Sequence, residues 1–272
     1  MPISSSGTAY ELDGPENAPV VVLIHGLGLI RQTTWERIVP KLSAHFRVLS
    51  YDLLGHGETR LPTEEVSLRS LSRQLLALMD ELQIGTAALV GFSLGGMINR
   101  RFALDRPERV SALAVLNSPH DRGEELQKSV EEAARASAEA GPGAVIDAAL
   151  ARWFTKEFHG AQSRSVAAIK ETILANDKAN YAAHRWVLAN GVRELIDPEP
   201  PISKPCLVVT CEDDSGSTPD MSIAIAGEIE GAETRIVPAL KHLGLIEKPE
   251  VFGDLLTRFL QESLRDIALK SV

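Results

Sequence analysis

Three features of the sequence predict an α/β fold with a mostly parallel central sheet flanked by helices and a helical segment inserted late in the chain. Short continuous apolar runs, such as Val20-Val-Val-Leu-Ile24 and Cys206-Leu-Val-Val-Thr210, have the pattern of strands covered on both faces. Helical stretches alternate with these runs, as parallel strands joined by crossover helices require. The turn Gly91-Phe92-Ser93-Leu94-Gly95-Gly96 joins one such strand to a helix and lifts a serine hydroxyl clear of the backbone.

The chain has 272 residues, enough to bury a substantial apolar interior. It divides into a first core part at 1–119, a helical cap at 120–200 and a second core part at 201–272. The net charge of −9 and the lack of a Lys/Arg stripe argue against nucleic acid and anionic membrane surfaces as partners, and the expected partner is a small-molecule substrate. No apolar stretch reaches membrane-spanning length and the N-terminus lacks a secretory signal, so a cytoplasmic location is expected. Assembly into a homo-oligomer is left open. Cys206 and Cys211 bracket one extended strand, too far apart to bond, and are read as reduced, buried thiols.

In chain order, Thr8 to Leu12 reads as an edge strand, followed by the turn cluster Asp13-Gly14-Pro15 and the strand Val20 to Ile24. Thr34 to Ser43 has apolar residues at helical spacing despite Pro40, which predicts one short, bent helix. The strand Phe46 to Tyr51 precedes a glycine-bracketed turn in which Asp52 and His56 are read as turn residues. Ser67 to Leu82 is an amphipathic helix with Ser67 as its N-cap. The strand Thr86 to Val90, the serine turn, the helix Met97 to Leu104 and the strand Ala112 to Leu116 follow.

From His120 the alternation stops, and 124–140, 144–154, 165–176 and 180–190 all read as helices. Asp197-Pro-Glu-Pro-Pro201 is a stiff linker back to the core. There Cys206 to Thr210 and Thr234 to Val237 are strands, and 220–229 and 251–264 are helices.

The serine turn does not have the glycine spacing of a dinucleotide site, and no lysine follows it as in a phosphate-cradling loop. A serine hydroxyl needs a base with a pKa near 7. Among seven histidines, His242 lies just after the last strand, at the sheet edge where Ser93 leaves its own strand. Glu212-Asp213-Asp214 follows another strand at that edge, and Asp214, with Asp213 as the alternative, is the acid expected to orient His242. The backbone N–H groups of Leu27 and Leu94 are the candidate oxyanion hole. His25 is read as holding its loop rather than as a base. The scattered histidines suggest no metal site, and no cofactor is expected.

These motifs together resemble the α/β-hydrolase superfamily over essentially the whole chain: HGLG at 25–28, YDLLGHG at 51–57, GFSLGG at 91–96, EDDSGSTP at 212–219 and KHLGLIEKPEVF from Lys241. The resemblance implies Ser93 as nucleophile, His242 as base, Asp214 as acid, and Leu27 and Leu94 as oxyanion donors. Members usually have one residue fewer between the aspartate and the following Thr-Pro, which keeps Asp213 in play, and the antiparallel edge looks shortened.

Within the superfamily the chain is most similar to 3-oxoadipate enol-lactonases, on HGLG, the Gly96-Met97-Ile98 continuation and Ala151-Arg-Trp-Phe-Thr-Lys-Glu-Phe158. This implies hydrolysis of a small lactone or ester bearing a carboxylate, with Arg152 as an anchor or else a solvated helix residue. Trp153 and Trp186 are pocket wall or cap core. The same residues would serve a C–C bond hydrolase acting on a vinylogous diketone, and a non-catalytic ligand-binding member of the fold is the third reading.

Overall fold

The computed structural model describes residues 2–161 and 164–270, so the outermost residues of the first and last expected segments lie outside the described residues. Strand β1 (Tyr10–Asp13) leads to β2 (Val20–Ile24), the short helices α1 (Arg31–Trp35) and α2 (Val39–Ser43), and β3 (Arg47–Tyr51). Helix α3 (Leu68–Glu81) is followed by β4 (Ala87–Phe92), α4 (Leu94–Asp105) and β5 (Val110–Leu116). Five α-helices then run without an intervening strand among the described residues: α5 (Gly123–Ala140), α6 (Ile146–Trp153), α7 (Lys156–Gly160), α8 (Arg164–Leu174) and α9 (Lys178–Asn190). The chain closes with β6 (Cys206–Cys211), α10 (Pro219–Gly227), β7 (Glu233–Val237), α11 (Gly244–Glu247) and α12 (Pro249–Lys270).

The seven strands form one sheet in the order β1-β3-β2-β4-β5-β6-β7. Only β1 is antiparallel to its neighbour, so the antiparallel edge is a single strand. Every residue of β4 and β6 is buried, which is why these strands read as unbroken apolar runs. Side chains alternate between two cores, one on each face of the sheet. Val21 and Leu23 pack with Trp35, Leu256 and Leu260, while Val22 and Ile24 pack with Leu75, Met97 and Phe102. Each such burial contributes about 1.5–3 kcal/mol relative to exposure.

Several element ends shift by a few residues from the sequence expectation, the short helix α7 was not expected, and two of the differences have a clear physical cause. The stretch 34–43 is not one bent helix but the end of α1 and all of α2, because Pro40 falls in the first turn of α2, where its missing N–H costs nothing. Helix α4 begins at Leu94 rather than Met97, since Gly95 and Gly96 are already helical. Ser67 caps α3 as expected, accepting from the Ser70 N–H, while the Ser67 N–H donates to the Ser70 hydroxyl. Cys206 and Cys211 are free and buried, and burial pushes both thiols up to about 12. Among the described residues no helix is long and apolar enough to cross a membrane.

Asp52, at the end of β3, is not merely a turn residue. Its carboxylate is paired with the Arg31 guanidinium and accepts the Arg31 backbone N–H at 2.8 Å, and both side chains are 1% exposed. Gln74 donates to the Asp52 carbonyl at 3.0 Å, which locks α3 to the same loop. Removing one partner leaves the other charge buried, so Asp52→Ala should lower unfolding free energy by about 3–5 kcal/mol in urea titrations; a change below about 1 kcal/mol would show that the pair is dispensable.

Candidate active site

Five loops meet at the carboxyl edge of the parallel strands. They carry Gly26 and Leu27 after β2, Ser93 after β4, Asn117 after β5, Asp214 after β6 and His242 after β7. The sharpest turn is at Ser93, with φ 55° and ψ −112°. A non-glycine residue held there costs about 1–3 kcal/mol. The glycines around it are required by close approach. A Cβ on Gly91 would lie 2.2 Å from the Gly95 carbonyl oxygen, and one on Gly95 would lie 2.2 Å from that of Ile24. The Ser93 N–H donates to the Leu116 carbonyl at 2.8 Å, and the Ser118 hydroxyl donates to the Ser93 carbonyl at 2.9 Å, so both backbone groups are fixed.

The carboxylate brought to His242 is Asp214, whose Oδ2 lies 2.8 Å from His242 Nδ1. Asp213 is exposed on the outer side of the same loop. Asp214 is buried, and four donors fill it. Oδ2 also accepts from Asn117 Nδ2 at 2.9 Å, and Oδ1 accepts the backbone N–H groups of Gly216 and Ser217 at 2.9 and 3.0 Å. Burial alone would raise its pKa, but the neighbouring His242 and these hydrogen bonds outweigh that and hold it below the usual carboxylate value. An ionised Asp214 fixes the proton on His242 Nδ1 and leaves Nε2 free to accept one.

Asn117 was not singled out from the sequence. It is fully buried at a φ of 46°, which asparagine tolerates better than most residues, and the only signal for it was a polar residue ending an apolar strand.

Behind the turn lie three buried imidazoles. His25 Nδ1 donates to the Gly26 carbonyl at 2.8 Å, and Nε2 accepts the Leu53 N–H at 2.9 Å, so both nitrogens are occupied in holding the loop. His56 accepts the Gly28 N–H, and its ring lies 5.3 Å from His25 and 4.6 Å from His184 of α9. Burial lowers the pKa of His25 to about 3 and that of His184 to about 4, and holds His56 well below the ordinary value. In front of this support, neither the Leu27 nor the Leu94 N–H has an acceptor among the described residues. Leu94 opens α4, where helix geometry leaves the first N–H groups unpaired.

A cavity of about 350 Å³ opens onto Ser93 and His242 and is also lined by Leu27 and Asp214. Arg152 and Trp153 line it too, with the Trp153 ring centroid 6.2 Å from that of His242. Trp186 does not. It lies outside the lining, half-buried beneath the Arg135 guanidinium at 4.6 Å, so of the two places expected for it, pocket wall or cap core, the first does not hold. The face of α9 turned to the cavity is Arg185, Leu188 and Ala189, at i, i+3 and i+4, and position 186 falls off that face. Arg122 and Arg185 also line the cavity and were missed, because nothing in the sequence separates them from solvated arginines.

The family model described as alpha/beta hydrolase fold matches residues 19–249. A 3-oxoadipate enol-lactonase of Acinetobacter baylyi is 27% identical over 93% of this chain and 92% of its own. An (E)-2-((N-methylformamido)methylene)succinate hydrolase of the same organism is 26% identical over 96% and 97%. Among solved structures, the enol-lactonase of Burkholderia xenovorans superposes with a TM-score of 0.83 at 30% identity, covering 93% of this chain and 96% of its own.

The buried histidines make stability depend on pH. Their folded-state pKa values lie below the unfolded value near 6.5, so the unfolded chain binds more protons between these limits. Their contribution is complete above about pH 6.5 and declines as pH falls towards 4, by about 1.4 kcal/mol per pH unit for each histidine. Urea unfolding at pH 7 and pH 5 should show this slope, and His184→Gln should remove about one proton's share; an unchanged slope would exclude His184 as a buried neutral group.

Proposed function

Starting from the fact that this chain belongs to the alpha/beta hydrolase fold family, we propose that it is a serine hydrolase that cleaves a small lactone or carboxylic ester through an acyl-enzyme. The observation that carries the reading is the Asp214 to His242 hydrogen bond of 2.8 Å beside a cavity that Ser93 also lines. In this reading Ser93 Oγ attacks the carbonyl carbon while His242 Nε2 takes its proton. Asp214 keeps the other ring proton in place and stabilises the imidazolium.

The oxygen that becomes negative in the tetrahedral intermediate is held by the N–H groups of Leu27 and Leu94. Each such donor typically lowers the barrier by about 2.7–4 kcal/mol. Collapse breaks the acyl–oxygen bond, and His242 returns the proton to the leaving oxygen. In a lactone that oxygen stays tethered to the acyl group. Water activated by His242 then releases the acid and restores Ser93.

Residues 120–200 serve here as the cap, and Arg152 and Trp153 as substrate-contacting residues. The similarity to enol-lactonases at 27% and 30% identity supports an enol-lactone as the first substrate to try, with the Arg152 fork pairing to its carboxylate.

A fluorophosphonate probe should label the wild-type protein and not Ser93→Ala, and an unlabelled wild type would end the hydrolase reading. On a panel of enol-lactones, short esters and vinylogous diketones, Asp214→Asn should lower kcat by about 10⁴-fold with the fold intact. Turnover confined to the diketones would replace ester cleavage by C–C cleavage. Asn117→Ala should lower kcat by up to about 10²-fold by letting the Asp214 and His242 pair shift, with KM little changed, and should add little in the Asp214→Asn background; the same fold loss in both backgrounds would show that Asn117 acts elsewhere.

A further inference from the structure

Three arginines line the cavity: Arg122 at the start of α5, Arg152 in the last turn of α6, and Arg185 within α9. Among the described residues, none of them forms an ion pair. Elsewhere in the same helices arginines do find carboxylates, as when Arg135 approaches Glu131 across one helical turn. The sole carboxylate in the cavity lining is Asp214, and its acceptor positions are filled by His242, Asn117, Gly216 and Ser217. Burial weighs against the charge on Arg122, and two carboxylates outside the cavity lining favour it without an ion pair: Asp121, which is exposed and accepts the Gly123 N–H at 3.0 Å, and Glu131, which is taken by Arg193 at 2.8 Å and by Gln127 at 2.7 Å.

Arg122 is half-buried, and its guanidinium is steered by neutral acceptors only. Nη1 donates to Gln127 Oε1 at 3.0 Å and to the Ala189 carbonyl at 3.3 Å, and Nη2 donates to the Leu188 carbonyl at 3.4 Å. Of the five N–H donors of an arginine this leaves Nε and one on Nη2, the adjacent pair that grips a carboxylate side-on. Arg152 and Arg185 both line the cavity, and Arg185 shares a hydrogen bond with the neutral Tyr181 phenol, whose pKa burial raises while Arg185 and Arg152 act against that rise. The Arg185 Nε is buried without an acceptor. Arg122 and Arg185 are half-buried and Arg152 is exposed; a half-buried cation without a carboxylate partner is stabilised by an anion that binds beside it.

We infer that this cavity selects an ester or lactone carrying two carboxylates, one taken by Arg152 with Arg185 and the other by Arg122. The inference rests on the hydrolase reading and goes beyond its single anchor at Arg152. Three guanidinium groups around a volume of about 350 Å³ suit a compact polyacid rather than a long acyl chain. With one carboxylate bound, the cavity still holds an unmatched Arg122. A second carboxylate within the same molecule removes that mismatch at no further cost in translational freedom.

The test uses Ser93→Ala, so that esters bind without turnover, and calorimetric titration with three methyl esters: methyl butyrate, monomethyl glutarate and the terminal monomethyl ester of tricarballylic acid. They carry none, one and two carboxylates on comparable chains. Affinity should rise at least tenfold at each step, and both steps should shrink as salt screens them. Arg122→Gln in the same background should abolish the second step and keep the first, with Arg122→Lys restoring part of it because charge without the fork is a weaker match. Equal affinities for the one-carboxylate and two-carboxylate esters would overturn the inference, as would an Arg122→Gln variant that weakens all three alike. Probe labelling of the wild type is read separately. A labelled enzyme with a flat series keeps the hydrolase and loses the dianion selection, whereas an unlabelled protein with a stepped series does the reverse.

Discussion

Gly95 lies so close to the Ile24 carbonyl that a single methyl group would come within 2.2 Å of it, and the arrangement of the site follows from that contact. Helix α4 can sit directly on the ends of β2 and β4 only if its first turn has no side chains there. The reversal at Ser93 is then forced into a left-handed backbone, with its N–H tied to Leu116 and its carbonyl to Ser118. The strain is carried by the two apolar cores, which hold β2, β4 and α4 in place whatever the turn prefers. The same contact leaves Leu94 at the head of α4, its N–H without an acceptor among the described residues.

Charge inside the molecule is handled in three ways around this turn. Arg31 and Asp52 neutralise each other as a buried pair. Asp214 is kept ionised by four donors that converge from three different strand ends. His25, His56 and His184 stay neutral by burial and lend their nitrogens to backbone groups. The arginines of the cavity follow none of these patterns. Arg122 is half-buried and directed by the carbonyl oxygens of Leu188 and Ala189, and with Arg152 and Arg185 it gives the cavity an electropositive lining.

The sheet was legible because its central strands are buried on both faces and so carry no polar interruption, and the turn at Ser93 because glycines there are a steric necessity. The sequence reading also located the loops after β6 and β7, since both follow unmistakable strands. It left Asp213 and Asp214 as alternatives because neighbours in a loop differ only in direction: Asp213 is exposed and Asp214 is within reach of His242. Pro40 was read as a bend and instead starts a helix, a distinction of one residue in register. Trp186 and Arg185 are adjacent in sequence, yet about 100° of helical rotation sends one to the cavity and the other under Arg135. Such placements depend on how α9 is rotated against α5 and the core, which no local pattern records.

The loop that carries His242 is sewn to the inserted helices on both sides. The Leu243 N–H donates to the Trp153 carbonyl at 2.9 Å, Lys241 Nζ donates to the Ala151 carbonyl at 3.1 Å, and Glu247 accepts from both the backbone and the hydroxyl of Thr155. Helix α6 and the Lys241–Glu247 loop are therefore one mechanical unit although some ninety residues separate them. Neither α6 nor Thr155 is separable from the segment that carries His242. A chimera that imports the inserted helices from a relative must import the Lys241–Glu247 loop with them, or the imidazole loses the scaffold that aims it.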